Sequence, residues 1–423
     1  MTGPGKQYAI IGASAAGMAA AQAIAEKDPQ GRILIFSEEP DPPYFRPLIP
    51  FLISGRKSAA DMELQGAGPF QSPGLDLHLN SRVEDLEVKA QKVTVSGGKT
   101  FAYDKLLIAT GSRPYIPTDI EGVDQEGVCA LRTLKDARAM AKRIEQAKQA
   151  VLLGGGLLNL KAAFALLERG LKVTLVVQSA EVLSRLMEPE DSRLIREALI
   201  RTGLGIETGV RAIRIIGSGQ GVRAVLLDDG RELAAEMVCI GKGVLPNVDF
   251  LDAQQIPLEE GVVVDRFTQS KAPNIYAAGD VAVTFNPVTG EKVMTALWTN
   301  AVEMGRCAGL NMAGRPTEYS GTFGILNATQ VADQPFVSMG IVHTKGTDYE
   351  THIAASSKAY RKVVFSADGQ RLVGLLLIGD ISRAGLYRFI IRERMPVRSF
   401  KAHLINQTVH YGHLLKAKGP GLS

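Results

Sequence analysis

The chain has only three cysteines among its 423 residues, Cys129, Cys239 and Cys307. They lie far apart and form no Cys-x-x-Cys pair, and their odd number argues against a framework of disulfide bonds. The same spacing provides no set of zinc ligands. Because reducing compartments favour free thiols, we expect a cytoplasmic protein.

The sequence also lacks a strong charge of either sign and a long apolar run. It carries 48 Lys and Arg against 44 Asp and Glu, a net charge of +4. This small and scattered excess does not favour a nucleic-acid partner. The most apolar N-terminal stretch, residues 8–25, is interrupted by glycine and polar residues, so we expect neither a membrane span nor a signal peptide. The length predicts roughly two to four domains.

Glycine, by contrast, is abundant, with 44 residues in the chain, above the usual ~7%. A first cluster, Gly12-Ala-Ser14-Ala-Ala-Gly17, follows an apolar strand and opens a helix that ends near residue 27. Strand, glycine-rich turn and helix form the context of a dinucleotide fingerprint. Gly12 allows the tight turn, Gly17 allows close helix packing, and Ser14 stands where a second glycine lets a pyrophosphate approach the backbone. The alternative is an ordinary glycine-rich turn.

An acid follows the next strand. Residues 32–36 form that strand, and Glu38 and Glu39 come directly after it. An acid about 20 residues after the fingerprint accepts hydrogen bonds from a ribose. We therefore expect Glu38 to do so.

A second cluster, Gly154-Gly155-Gly156-Leu157-Leu158-Asn159, also follows a strand and opens a helix, predicted over 157–169. Asn159 replaces the third glycine, and Gln178 stands after the next strand where an acid would hold a ribose. Two fingerprints, each between strands, favour two dinucleotide-binding domains. The alternative is a retained fold that no longer binds nicotinamide.

Two further strands end in tight turns, at Ala109-Thr110-Gly111 and at Gly279-Asp280. Ligands of open α/β sheets bind at the carboxyl ends of the strands, where the Asp280 carboxylate can accept hydroxyl groups.

Together these segments resemble the pyridine nucleotide–disulfide oxidoreductase superfamily over nearly the whole chain. The resemblance implies an α/β fold with two Rossmann-like domains, one for FAD and one for NAD(P), and a C-terminal α+β domain of the dimerisation type. It implies a discontinuous FAD domain (1–115 and 245–320), an NAD(P) domain (116–244), a C-terminal domain (321–423) and a homodimer.

The branch of the superfamily depends on residues 43–55. Pro47 stands where coenzyme A disulfide reductases and NADH oxidases carry a redox cysteine, and Ala15 stands where NADH oxidases and peroxidases carry a histidine. Because a thiolate must attack or accept electrons in disulfide chemistry, this chemistry is excluded at that position. Tyr44-x-Arg46-Pro47 instead resembles the ferredoxin and rubredoxin reductases and the flavin portion of nitrite reductases.

The resemblance also implies the site residues. For FAD they are Gly12, Ser14, Ala15, Ala16, Gly17, Glu38, Glu39, Arg46, Pro47, Val83, Ala109, Thr110, Gly111, Arg132, Gly279, Asp280, Leu297 and Trp298. For NAD(P) they are Gly154, Gly156, Leu157, Leu158, Asn159, Gln178, Gly241 and Gly243. NADH is favoured over NADPH, because residues 178–184 contain no Arg or Lys for a 2′-phosphate.

Two positions depart from the ferredoxin-reductase pattern. Its lysine and glutamate near the flavin correspond here to Phe51 and Lys161. We hypothesise that Lys161 faces the flavin, where its cation favours the anionic reduced form; the alternative is a solvated helix residue.

The resemblance thus implies an FAD-dependent NAD(P)H oxidoreductase that exchanges electrons with a ferredoxin- or rubredoxin-type iron–sulfur carrier. The alternative is an FAD-bearing subunit of a larger redox complex with a degenerate NAD(P) site. The histidines at 403, 410 and 413 are expected at a surface or interface rather than at a metal.

Overall fold

A computed structural model describes residues 5–64, 74–219 and 221–418. Parts of the predicted domains 1–115 and 321–423 therefore lie outside the described residues. The strands, in chain order, are β1 Gln7–Ile11, β2 Arg32–Phe36, β3 Leu75–His78, β4 Val83–Glu87, β5 Lys92–Val95, β6 Thr100–Ala102, β7 Lys105–Ile108, β8 Ser112–Pro114, β9 Val128–Ala130, β10 Gln149–Leu153, β11 Lys172–Val177, β12 Gly205–Thr208, β13 Ala212–Ser218, β14 Gly221–Leu227, β15 Glu232–Ala234, β16 Met237–Ile240, β17 Val244–Pro246, β18 Val262–Val263, β19 Ile275–Ala277, β20 Ala282–Phe285, β21 Lys292–Met294, β22 Leu326–Val331, β23 Gln334–Gly340, β24 Glu350–Ala355, β25 Tyr360–Phe365 and β26 Leu372–Ile378. The helices are α1 Ala15–Lys27, α2 Ile49–Ile53, α3 Leu134–Ile144, α4 Leu157–Glu168, α5 Arg193–Arg201, α6 Trp298–Met312, α7 Ala384–Arg392, α8 Lys401–Ile405 and α9 Tyr411–Lys418.

The chain divides into two compact units that do not follow its order. The first comprises Met1–Tyr115, Arg132–Arg138 and Gly243–Thr322, and the second comprises Ile116–Leu131, Ala139–Lys242 and Phe323–Ser423. The second unit thus contains most of the predicted NAD(P) domain together with the predicted C-terminal domain.

The first unit is built on a parallel sheet with the strand order β19-β7-β1-β2-β3. Its central strands read as continuous apolar runs, such as Tyr8–Ile11 in β1, because both faces are buried. In a parallel sheet all carboxyl ends lie at one edge. The turns after β1, β2, β7 and β19 therefore meet there.

Helices α1 and α6 pack closely on each other within this unit. A Cβ atom built on Gly305 would lie 2.1 Å from the Ala16 carbonyl oxygen, and one on Gly309 would lie 2.4 Å from that of Ala20. Only glycine permits this approach. Because residue numbers rise together along the contact, the helices run parallel and their N-termini lie at the same end.

The second unit contains a parallel sheet, β12-β11-β10-β16-β9, and an antiparallel sheet, β22-β23-β26-β25-β24. Helix α4 follows β10, and it spans Leu157–Glu168 against the predicted 157–169. The antiparallel sheet shares an apolar core with α7 and the segments after it. The predicted α/β class with two Rossmann-like sheets and a C-terminal α+β region is confirmed.

Candidate functional site

The first glycine turn joins β1 to α1 at the carboxyl edge of the first unit's sheet. Gly12 has a φ of +113°, and a Cβ there would lie 2.1 Å from the Ala109 carbonyl oxygen, so the turns after β1 and β7 touch. A Cβ on Gly17 would lie 1.9 Å from the Gly12 oxygen. Ser14 is the N-cap residue of α1, yet its side chain makes no capping bond to the helix. The first backbone N–H groups of α1 therefore remain available to an anion.

Arg46 connects this turn to the segments around it. Its Nε donates to the Ser14 Oγ at 3.0 Å, and its Nη1 donates to the Arg132 carbonyl oxygen at 3.0 Å. Its Nη2 pairs with the Glu39 carboxylate. Its guanidinium also lies over the Tyr44 ring, 5.0 Å from the centroid. Arg46 is thereby held at the edge of the turn with a fixed orientation.

Tyr44 contacts Glu39, the same carboxylate that pairs with Arg46. Its buried hydroxyl donates to Glu39 Oε2 at 2.7 Å and accepts the Leu134 backbone N–H at 3.0 Å. Burial raises the pKa of Tyr44 well above its ordinary value, so the phenol stays protonated as a donor. Tyr44 belongs to the Tyr44-x-Arg46-Pro47 motif but is not among the site residues predicted from the sequence.

A second arginine pairs with the acid at the end of β19. Arg132 Nη2 lies 2.5 Å from Asp280 Oδ2, and the Ser112 hydroxyl donates to the same oxygen at 2.9 Å. Arg132 Nε also donates to the Ser112 carbonyl oxygen at 3.1 Å. Because both contacts to Asp280 use Oδ2, Oδ1 keeps its capacity to accept from a ligand. Ser112 is a further residue that the sequence did not single out.

The remaining predicted FAD residues lie around the same edge, in different states of exposure. Glu38 is exposed after β2, whereas Glu39 is occupied by Arg46 and Tyr44. Thr110 and Asn247 exchange two hydrogen bonds, at 2.7 and 3.0 Å, which hold the turn around Gly111.

The N-terminus of α6 reaches this edge as well. Leu297 is its N-cap residue, and the Trp298 ring meets the Phe45 ring edge-on at 4.7 Å. A Cβ on Gly279 would lie 3.2 Å from the Ala16 side chain, so the starts of α1 and α6 converge beside Gly279. Pro47 is exposed in the turn before α2, and the buried Val83 begins β4.

These residues fit a dinucleotide such as FAD. The uncapped start of α1 and Arg46 suit a pyrophosphate, and the exposed Glu38 and the Oδ1 of Asp280 suit sugar hydroxyls. Gly12 and Gly17 remove the side chains that would separate the turn from its neighbours. The chain therefore has a cradle with the donors and acceptors that FAD requires.

The second glycine turn joins β10 to α4 in the second unit. Gly154 has a φ of +114°, and a Cβ there would lie 2.4 Å from the Gly241 carbonyl oxygen. The carboxyl ends of the neighbouring strands β10 and β16 thus touch, as the corresponding strands do in the first unit. Gly156 is the N-cap residue of α4, and a Cβ built on it would meet nothing within 4 Å. The space in front of this backbone is open for a nucleotide.

Asn159 lies inside this turn. Its side chain is 2% exposed, and its amide donates to the carbonyl oxygens of Leu153 and Gly154, both at 2.9 Å. A glycine at this position would let the helix pack closely on the turn. Here the Asn159 amide instead stabilises the turn through these two hydrogen bonds. Leu157 is half-buried, and Leu158 and Gln178 are exposed. Gln178 directly follows β11 and has a neutral side chain.

Two further predicted residues are Gly243 and Lys161. Gly243 belongs to the first unit, where its carbonyl oxygen accepts the Tyr115 N–H at 2.9 Å beside the paired strands β8 and β17. Lys161 lies on α4 in the second unit, and burial lowers the pKa of its ammonium. Its position near a flavin stays a prediction.

Two of the three cysteines belong to the second unit, and the third lies on helix α6 of the first unit. Cys129 and Cys239 are register partners on β9 and β16 of the second unit. Cys307 is buried in α6, and burial raises the pKa of its thiol to about 11. A thiol with this pKa is almost entirely protonated near neutral pH and is a poor nucleophile.

Across residues 5–64, 74–219 and 221–418, no group of three or more His, Cys, Asp or Glu side chains is placed to hold a metal ion. The His403 ring stacks on the His413 ring, and the His410 ring lies against His413 at a tilt of 44°. None of the described helices is both long enough and apolar enough to cross a membrane.

Comparison with known proteins agrees with this geometry. Residues 6–305 match the family model of the pyridine nucleotide-disulphide oxidoreductases. The chain is 29% identical over 409 residues to the NADH-dependent phenylglyoxylate dehydrogenase subunit epsilon of Aromatoleum evansii, covering 96% of each chain. It is 29% identical over 309 residues to the rubredoxin-NAD(+) reductase of Ectopseudomonas oleovorans, covering 73% of this chain and 80% of the relative.

A solved structure of a ferredoxin reductase from Rhodopseudomonas palustris superposes with a TM-score of 0.85 at 25% identity, over 97% of this chain and 100% of that one. The family model spans well over half of the chain and includes both glycine turns. The predicted superfamily is confirmed: the chain belongs to the pyridine nucleotide-disulphide oxidoreductase family, a family of flavoprotein oxidoreductases, and FAD and NAD(P)H are its cofactors.

Proposed function

We propose that the protein is an FAD-dependent NAD(P)H oxidoreductase that exchanges electrons with an iron–sulfur or rubredoxin-type carrier, without a redox-active cysteine. The observation that carries this proposal is the composition of the first unit's site. The site offers arginines, carboxylates and helix N-termini, and the one cysteine of the first unit, Cys307, is buried in α6 with a raised pKa. Similarity to a rubredoxin reductase and a ferredoxin reductase supports the same class of acceptor.

Each side chain of this site has a binding role in the proposal. Arg46 and the start of α1 hold the pyrophosphate, Glu38 accepts from the ribose, and Asp280, aligned by Arg132 and Ser112, accepts from the ribityl chain. Bound FAD supplies the exchange between a two-electron hydride donor and a one-electron carrier. One NAD(P)H therefore reduces two carrier molecules.

In the second unit, Gly154, Gly156 and Gly241 would bring the nicotinamide nucleotide close to the backbone at the start of α4. Gln178 is neutral and exposed, which suits the unphosphorylated ribose of NADH better than a 2′-phosphate. The proposal therefore favours NADH.

A second candidate function is an FAD-bearing electron-transfer subunit of a larger redox complex, with a degenerate NAD(P) site and electrons supplied by protein partners. The full-length similarity to a dehydrogenase subunit favours it. Homodimer formation through the C-terminal region remains a prediction in either case.

Anaerobic titration of the flavin absorbance distinguishes the two candidates. Bleaching by NADH supports the oxidoreductase, whereas bleaching by a reduced iron–sulfur carrier alone supports the subunit. The variant Gly156→Ala tests where the nucleotide binds. Its Cβ would enter open space without clashing with the protein, so that only a bound nucleotide would contact it. We expect this variant to fold and to lose affinity for NADH; unchanged affinity would contradict the proposed nucleotide position.

A further inference from the structure

The second unit contains an ion cluster that the proposed chemistry does not use. Lys362, on β25, is 1% exposed, and its ammonium contacts the carboxylates of Glu188 and Asp191. The Tyr360 hydroxyl donates to the other oxygen of Asp191. Glu188 also accepts the backbone N–H groups of Thr344 and Lys345, each at 2.8 Å. The three charged groups, Lys362, Glu188 and Asp191, are thus paired with one another in a site that is almost closed to water.

The cluster joins the C-terminal sheet to one segment of the nucleotide half of this unit. Burial alone would raise the pKa of Glu188, but hydrogen bonds from Lys362 and the two backbone N–H groups lower it to about 2. Asp191 Oδ2 also accepts the Glu188 backbone N–H at 3.1 Å, which closes the turn Pro189–Asp191. Since a buried charge without its partner is costly, this turn cannot leave the sheet easily.

The held segment, residues 178–187, runs from the end of β11 to this turn. Near its middle, the Leu183 N–H donates to the Gly155 carbonyl oxygen at 2.9 Å. A Cβ on Gly155 would lie 2.9 Å from Val177 and 3.3 Å from Val182, so the segment packs directly on the glycine turn. At its far end, the buried Ser338 hydroxyl of β23 donates to the Leu186 carbonyl oxygen at 2.9 Å.

We propose that Lys362 is a positioning residue for the nicotinamide nucleotide, because it anchors the segment that carries Gln178 and packs on Gly155. The inference rests on the proposed nucleotide site at Gly154–Gly156. Lys362 touches no reacting atom; it acts through Glu188 and Asp191 on the wall of that site. The C-terminal sheet thereby helps to set the affinity for the nucleotide.

Stopped-flow reduction of the FAD-loaded protein by NADH tests this role, because it separates the dissociation constant for NADH from the limiting rate of reduction. In Lys362→Met we expect the dissociation constant to rise about tenfold, the size of a typical coupling between sites. The FAD content and reduction by dithionite should stay as in the wild type. Lys345→Met is the matched control, since Lys345 is an exposed lysine that contacts Glu190 at 3.4 Å outside the buried cluster.

A dissociation constant in Lys362→Met equal to that of the Lys345 control, with a lower melting temperature, would overturn the inference and leave a role in stability alone. If Lys362→Met does not fold, Ser338→Ala decides, because it removes only the bond to Leu186; we expect weaker NADH binding, and unchanged binding would overturn the inference. If neither NADH nor NADPH bleaches the wild type, the proposed function fails and this inference fails with it. Bleaching of the wild type with unchanged variants refutes the inference alone.

Discussion

Arg46→Lys is the most informative single change at the first glycine turn, because it keeps the charge and removes the planar fork. Arg46 bonds Ser14 and the Arg132 carbonyl oxygen at 3.0 Å each and pairs with Glu39. A lysine ammonium can keep the pair with Glu39 but cannot span the other two acceptors. Two lost hydrogen bonds at about 1 kcal/mol each amount to about 2 kcal/mol.

In a unit of this size, about 2 kcal/mol lowers the melting temperature by roughly 4–8 °C. We expect this shift in the apoprotein, measured by calorimetry, and a higher dissociation constant for FAD, measured by fluorescence titration. Arg32→Lys serves as control, because Arg32 makes a single exposed contact with Asp76 at 3.3 Å, and such exposed pairs contribute little. If Arg46→Lys changes neither quantity more than the control does, the assignment of Arg46 as the organiser of the turn is wrong.

Three further predictions follow from packing, thiol placement and charge. Gly305→Ala places a Cβ 2.1 Å from the Ala16 oxygen and should destabilise the protein severely. In Gly385→Ala the Cβ meets nothing within 4 Å, so this control should stabilise its helix by about 0.5–1 kcal/mol. Thermal melting compares the two variants. Replacing all three cysteines by alanine should leave NADH-driven flavin reduction intact, and loss of reduction with FAD still bound would contradict a thiol-free mechanism. The pKa of Glu188 is about 2 against an ordinary 4.5, so the stability that its carboxylate contributes is present above pH 4.5 and is lost as the pH falls toward 2. The free energies of unfolding of wild type and Glu188→Gln, measured by urea melts, should converge over that window. Parallel curves would refute the low pKa.

Local elements follow closely from the sequence. The strand, turn and helix around Gly12 and Gly154 lie where the glycine spacing predicts them, and β2 matches its predicted bounds of 32–36. These elements form within about 20 residues, and their apolar runs and turn glycines specify them directly. The cofactor class follows from the same segments, since the backbone itself supplies the phosphate site.

The partnerships of side chains required the tertiary structure. Arg132 meets Asp280 across 148 positions of the chain, and Lys362 meets Glu188 across 174. The sequence predicts Arg132 and Asp280 as residues of one site without pairing them, and it gives Lys362 and Glu188 no role. No periodicity or motif encodes a contact between positions so far apart. Asn159 likewise replaces the third glycine of the second fingerprint, and only the tertiary structure shows that its amide bonds the turn itself.

By itself, the sequence determined the two dinucleotide turns, the α/β class and the lack of a cysteine after the first β-α-β unit. The tertiary structure decided that Gly243 lies with the first unit and that the C-terminal sheet belongs with the nucleotide half of the second. The physical reason is the range of the interactions. Backbone conformation at a glycine turn depends on neighbouring residues, whereas a buried ion cluster depends on which distant surfaces the whole chain brings together.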